Sequence, residues 1–261
     1  MPTESLVLTK HPLVLTKHHG LGNDFLVLLD TEDAFADADL GAMAITLCDR
    51  RTGIGADGLI RLAPGFRMHL HNADGGRAEM SGNGIRCLAQ AIVDFGVHGG
   101  TEFEIVTDVG SKRVVPQFDQ HDGTRSFTVD MGPVKVIDLE ERRAEVDTGN
   151  PHLVLLVADP AAEALEQLGA ENPDVNVEIV RVDDAATVTM RVHERGAGIT
   201  QACGTGSCAI AAATKAWGLT GDRVTVRNPG GDLVVELEGD SALLTGPAQY
   251  VGRVEVRNKW R

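Results

Sequence analysis

The chain has 261 residues, 43% of them apolar and 30 of them glycine, and carries 38 acidic against 24 basic side chains for a formal charge of -14. That length buries one large core or two of roughly 100 to 150 residues each, and the scattered cations under a net negative charge exclude nucleic acid as a partner. No apolar run approaches the roughly 20 residues of a membrane span, and the opening MPTESLVLTKH lacks a signal peptide's charged start and cleavage site, so a cytoplasmic protein with no membrane partner is expected.

In chain order, the string LVLTKH occurs at Leu6 to His11 and again at Leu13 to His18. Two copies fall short of a coiled-coil array, so residues 1–12 read as an N-terminal extension. GNDFLVLL (Gly22 to Leu29) then opens on a turn dipeptide and continues as a β-rich run, and GNPHLVLL (Gly149 to Leu156) repeats it 127 positions later. DGLIRL and FRMHLHNADG face NVEIVRV and TVTMRVHERG, each an alternating pair of strands ending in a glycine-containing turn. GADG (Gly55 to Gly58) and NADG (Asn72 to Gly75) read as turns without chemistry of their own.

SGNGIRCLAQAIVDFG faces CGTGSCAIAAATKAWG at an offset of 122. Both predict helices entered through glycines and closed by glycine C-caps at Gly96 and Gly218. FEIVTDVGSKRVVPQF matches VTVRNPGGDLVVEL as two strands around a turn. The order predicts an α+β protein of two pseudo-symmetric domains, each a mixed or antiparallel sheet wrapped around a central, largely apolar helix. The expected boundaries are 13–125 plus a C-terminal strand at 249–261 for the first domain and 126–248 for the second, joined through DQHDGTR (Asp119 to Arg125).

A pseudo-twofold brings the N-termini of the two central helices together and places Ser81 opposite Cys203. Gly82-Asn83-Gly84 and Gly204-Thr205-Gly206 then offer unpaired N–H groups and positive dipole ends to a carboxylate, and such a helix end is expected to lower the thiol pKa of Cys203. Polar residues fall where the repeat ends its strands: Asn23, Asn72, Asn150, His152, Asn176, Glu194 and Arg195. They suit a small zwitterion, although Glu194-Arg195 also reads as a surface ion pair and His152 as a structural histidine. Cys48, Cys87, Cys203 and Cys208 lack paired CxxC spacing and read as free thiols, with no metal site. No nucleotide, phosphate or pyridoxal motif is evident, so no cofactor is expected. Opposed acid and base groups around an amino-acid cradle point to proton transfer at Cα.

HGLGNDFLVL, RRTGIGADGL, NADGGRAEMSGNGIRC, TGNPHLV, NVE, HERGAGITQACGTGSCA and LTGPA resemble the motif series of diaminopimelate epimerase, from about Lys17 to Gly252. The resemblance implies cofactor-independent interconversion of LL- and meso-diaminopimelate by a homodimer in lysine and cell-wall precursor synthesis. It implies that Asn23, Asn72, Asn150, Asn176, Glu194 and Arg195 hold the two amino-acid ends, with Gly82, Asn83, Gly204 and Thr205 as backbone donors. Cys203 is then one catalytic thiol, and His152 and Glu194 help move protons to or from a thiol. The departure is Ser81, where the family has its other catalytic cysteine. An alkanol is a far weaker acid than a thiol of ordinary pKa about 8.5, so the serine is an introduced substitution, a natural residue with altered proton traffic, or a sign of divergence. The alternatives it leaves open are a binding-only paralogue and a same-fold isomerase of the proline-racemase or phenazine-biosynthesis type.

Overall fold

The computed structural model describes residues 13–117 and 124–256. The N-terminal extension, residues 118–123, which include most of the expected linker, and residues 257–261 of the expected C-terminal strand lie outside the described residues. The first half runs β1 (Leu13–Gly20), β2 (Asn23–Leu29), α1 (Leu40–Cys48), β3 (Gly58–Ala63), β4 (Arg67–Asn72), β5 (Arg77–Ala78), α2 (Gly82–Asp94), β6 (Phe103–Thr107), β7 (Gly110–Pro116) and β8 (Arg125–Pro133). The second runs β9 (Lys135–Leu139), β10 (Arg143–Asp147), β11 (Pro151–Leu156), α3 (Leu165–Glu171), β12 (Asn176–Asp184), β13 (Thr187–Glu194), β14 (Gly198–Thr200), α4 (Gly204–Ala216), β15 (Arg223–Asn228), β16 (Gly231–Glu238) and β17 (Ser241–Val256).

The two halves repeat each other strand for strand. β1 pairs antiparallel with β2, β2 parallel with β3, β3 antiparallel with β4, and β4 antiparallel with β5 but parallel with β6, after which β6, β7 and β8 meander. The series β10, β11, β12, β13, β14, β15, β16 and β17 follows the same signs in the same order. β17 then joins the halves: residues 241–248 pair with β8 and residues 249–256 with β1.

Strand alternation distributes the core. On β2, Phe25 and Val27 face α2 in the main apolar cluster, while Leu26 and Leu28 face α1 on the outside. On β11 and β12, Val154 and Val180 face α4, while Leu153, Val177 and Ile179 lie under α3. α2 is buried continuously from Gly82 to Ile92 and α4 nearly so, which fits helices enclosed by their sheets. Both begin on an extended cap residue whose side chain accepts the N–H three residues on: Ser81 from Gly84 at 3.1 Å and Cys203 from Gly206 at 3.3 Å. Both close on a left-handed glycine, Gly96 (φ +70) and Gly218 (φ +72), as expected for C-caps.

The enclosed helix α2 departs from an apolar rod by burying Arg86 and Gln90. Gln90 Oε1 lies 3.2 Å from Nδ1 of buried His18, whose pKa burial pushes down to about 4.

The two helix N-termini touch. A Cβ added to Gly82 would lie 3.3 Å from Gly204 Cα, and one added to Gly204 would lie 3.2 Å from Gly82 Cα and 2.9 Å from Leu244 Cδ2. Only glycine at both positions permits this approach. Gly204→Ala is expected to force the helix ends apart and to destabilise the protein by about 1 to 3 kcal/mol. Urea unfolding measures this, and an unchanged midpoint would refute the tight contact.

Candidate functional site

With Ser81 and Cys203 capping the third helical N–H, the N–H groups of Gly82, Asn83, Gly204 and Thr205 have no intrahelical acceptor and gather at one junction. Asn83 ties the halves together there. Its Nδ2 donates to Asn23 Oδ1 at 3.2 Å and across the junction to Ala202 O at 3.1 Å, while its Oδ1 accepts from Arg86 Nη2 at 2.7 Å. Arg86 also donates to Gly82 O at 2.8 Å and Pro247 O at 3.1 Å. Burial lowers its pKa to about 10, which leaves it a cation at neutral pH beneath the helix end.

Asn23 is braced from behind. Its Nδ2 donates to Asp57 Oδ2 at 2.7 Å, and Arg50 bridges Asp57 and Asp24 at 2.7 and 2.6 Å, with Lys17 on Asp24 at 2.8 Å. Asp57 belongs to the GADG turn, to which sequence spacing assigned no chemistry; its position before β3 makes it the anchor of Asn23.

On the other side Cys203 is buried, with Sγ 3.4 Å from Thr205 Oγ1 and its N–H directed to Asn228 Oδ1 at 3.4 Å. The Glu194 carboxylate accepts from Thr200 Oγ1 and lies close enough to the thiol for the two groups to interact electrostatically. Burial raises the Glu194 pKa. The expectation that the helix end lowers the thiol's pKa is corrected: burial, then the charges of Glu194 and Glu178, push Cys203 well above the ordinary thiol value, and the hydrogen bonds from Thr205 and Gly206 only partly oppose them. Cys203 therefore rests as the thiol. Cys87 is fully buried and likewise raised, to about 12, and the four thiols are unpaired.

His152 is buried with Nδ1 2.7 Å from Glu178 Oε1 and Nε2 3.1 Å from Asn150 Oδ1. Glu178 is the residue sequence reasoning missed; its signal was a glutamate inside a β-run where the first repeat has Ile60. Asn176 spends both ends on the protein, its Nδ2 donating to Pro151 O at 3.1 Å and its Oδ1 accepting the Arg195 N–H at 3.0 Å. Arg195 is exposed, with Nη1 3.3 Å from Asp174 O. Asn72 is also exposed, its main chain closing the turn to Gly75 and Gly76. The structure thus brings Asn23, Asn83 and the chain before Cys203 together, and Asn150 with His152. The exposed Asn72 side chain makes no hydrogen bond to either group among the described residues. A cavity of about 530 Å³ opens beside Asn150 and His152, bounded by Asp147, Asn172 and Val175.

Strand register shows how the halves differ. Phe25 pairs with Gly58 and Val27 with Ile60, as His152 pairs with Asn176 and Val154 with Glu178. Leu70 pairs with Ala78 as Val192 pairs with Thr200, which sets Asn72 against Glu194. Where the second half has Cys203, His152, Glu178 and Glu194, the first has Ser81, Phe25, Ile60 and Asn72.

The sequence profile of the family described as diaminopimelate epimerase matches residues 15–137 and 145–251. The chain is 40% identical to a diaminopimelate epimerase of Thermobifida fusca, covering 92% of this chain and 97% of the relative. It is 38% identical to a diaminopimelate epimerase of Corynebacterium glutamicum over the same shares. Among solved structures, a protein described as a predicted epimerase from Pseudomonas aeruginosa superposes with a TM-score of 0.73 at 18% identity, covering 94% of this chain and 99% of that one. A hydroxyproline epimerase from Agrobacterium vitis does so with a TM-score of 0.68 at 19% identity, covering 93% and 90%. These two establish the fold.

Because the Cys203 pKa is raised, site-resolved alkylation of Cys203 by iodoacetamide is expected to reach half-maximal rate above the ordinary thiol midpoint of about 8.5. Glu194→Gln removes a like charge and should lower that midpoint by about one pH unit. A wild-type midpoint below the ordinary value would contradict the burial argument.

Proposed function

The chain belongs to the diaminopimelate epimerase family, and on that premise we propose that it interconverts LL- and meso-diaminopimelate by cofactor-independent proton transfer at Cα in the junction between its two helix ends. The single observation that carries the site is the contact of Gly82 with Gly204 between two caps of the same extended type. The substrate's α-carboxylate takes the N–H groups of Gly82, Asn83, Gly204 and Thr205, which places Cα between Ser81 and Cys203. Asn72, Asn150 and Arg195 present polar groups to the amino-acid ends, while Asn23 and Asn176 act by fixing Asn83 and the Arg195 main chain.

On the Cys203 face the thiol proton passes to the Glu194 carboxylate, and the thiolate removes the Cα hydrogen as a proton. The electron pair left on Cα spreads into the bound carboxylate, and a proton returns on the opposite face from the Ser81 side. In the reverse direction Cys203, resting as the thiol, is the donor. Ser81 Oγ accepts the Gly84 N–H, which leaves its own hydrogen to donate, but at the positions that hold His152, Glu178 and Glu194 in the second half the first half has Phe25, Ile60 and Asn72. The Ser81 face is therefore the slow one.

The domains carrying the two caps are 13–125 with 249–261, and 126–248, a division supported by β17 changing partner between Ala248 and Gln249. The family is also what supports reading the chain as a cytoplasmic homodimer in lysine and cell-wall precursor synthesis. The 35–40% identity to curated diaminopimelate epimerases favours this substrate over the cyclic amino acid of the hydroxyproline epimerase, to which the likeness is 19%.

In heavy water both LL- and meso-diaminopimelate should acquire deuterium at one Cα, the hydrogen facing Cys203 exchanging faster. Ser81→Cys should raise epimerisation by about 10²-fold, the scale of a well-placed acid–base group. Exchange absent from both substrates while either still binds would replace this reading with a binding-only protein. An unchanged rate in Ser81→Cys would show the hydroxyl to be sufficient.

A further inference from the structure

We propose that Glu178 is a positioning residue of this site, fixing His152 through one carboxylate oxygen and setting the charge beside the cap of α4; the proposal rests on the proton-transfer reading above. Three observations carry it. First, the acid–imidazole pair is not needed for packing. At the same register the first half packs Phe25 and Ile60, whereas His152 and Glu178 are both fully buried and 2.7 Å apart. A buried pair of this kind gains little stability over apolar residues of similar volume.

Second, the helix is built around the carboxylate. A Cβ on Gly206 would lie 2.5 Å from Glu178 Oε1 and 3.1 Å from its Cδ, so the first turn of α4 admits Glu178 only because residue 206 is glycine. Third, Glu178 Oε2 is buried without a hydrogen-bond partner. An orphaned carboxylate oxygen beside a capping thiol is costly for stability alone.

The geometry states what Glu178 does. With Oε1 accepting from Nδ1, the imidazole cannot turn, and Nε2 is held towards Asn150 at 3.1 Å. The groups facing Glu178 are His152 from β11, Cys203 and Gly206 from α4, and Glu194 from β13. Among them it is a like charge near Sγ, which makes the Cys203 thiolate the stronger base.

Glu178→Gln keeps the shape and removes the charge. Its expected signature is a wild-type melting profile, a kcat lower by about 10²-fold with KM within about threefold, and a Cys203 alkylation midpoint lower by about one pH unit. The double variant His152→Phe with Glu178→Ile installs the first half's own pair. It should fold as stably as wild type and show the same downward midpoint. A Cys203 midpoint and a kcat both unmoved in Glu178→Gln would make Glu178 a packing residue and overturn the proposal. Should wild type itself fail to turn over diaminopimelate, the functional reading falls, while the alkylation midpoint, which needs no turnover, still decides the role of Glu178.

Discussion

The contact of Gly82 with Gly204 sets two positive helix ends against each other, each worth roughly half a charge. Arg86 adds a full positive charge directly beneath, and its acceptors are two main-chain carbonyls and an amide oxygen. Such a junction is electrostatically incomplete by itself. It is held closed by β17, shared between the halves, and by Asn83, whose amide reaches Ala202 across the gap. On the proposed reading a small carboxylate supplies the missing charge at the point where four main-chain donors meet, and the way the repeats are joined is what would make the junction an anion site.

Duplication supplies the frame, and departures from it supply the chemistry. Phe25 against His152, Ile60 against Glu178, Asn72 against Glu194 and Ser81 against Cys203 occupy matched positions, and in every pair the ionisable partner is in the second half. The first half contributes instead the braces Asp57, Arg50 and Asp24, which fix Asn23 and through it Asn83. In the proposed reaction one repeat orients and the other transfers protons. The asymmetry concerns side chains only, because strand order, sense and cap geometry coincide.

Much of this was legible in the sequence. The matched strings at offsets of 127 and 122 carried the repeat, and the glycines at 96 and 218 marked helix ends because few other residues adopt positive φ there. The site was legible as far as it depended on backbone, through the paired Gly-x-Gly turns. The direction of the Cys203 pKa was not, because the helix end acts locally while burial and the charges of Glu194 and Glu178 come from strands distant in sequence. Nor could spacing reveal that Asn176 spends both ends of its amide on Pro151 and Arg195, since each asparagine looks alike as a letter. Glu178 escaped because an acid in a β-run reads as solvent-facing until register places it under a glycine.

The two caps also divide stability from reactivity. A serine oxygen is a strong N-cap acceptor, worth about 1 kcal/mol, and Ser81 takes its N–H at 3.1 Å over an apolar floor of Phe25 and Ile60. Sulfur is a weaker acceptor, and Cys203 takes its N–H at 3.3 Å over a floor that buries an acid, an imidazole and one unpartnered oxygen. The second cap is thus the less stable of two equivalent turns. Because α2 and α4 abut through glycines with no side chain between them, the firm turn around Ser81 is the surface against which the weaker one is held. A serine at position 81 therefore strengthens the support of the thiol at position 203, while in the proposed reaction the same serine slows proton transfer on its own face, so that stability and rate at this junction are set by different atoms of one residue pair.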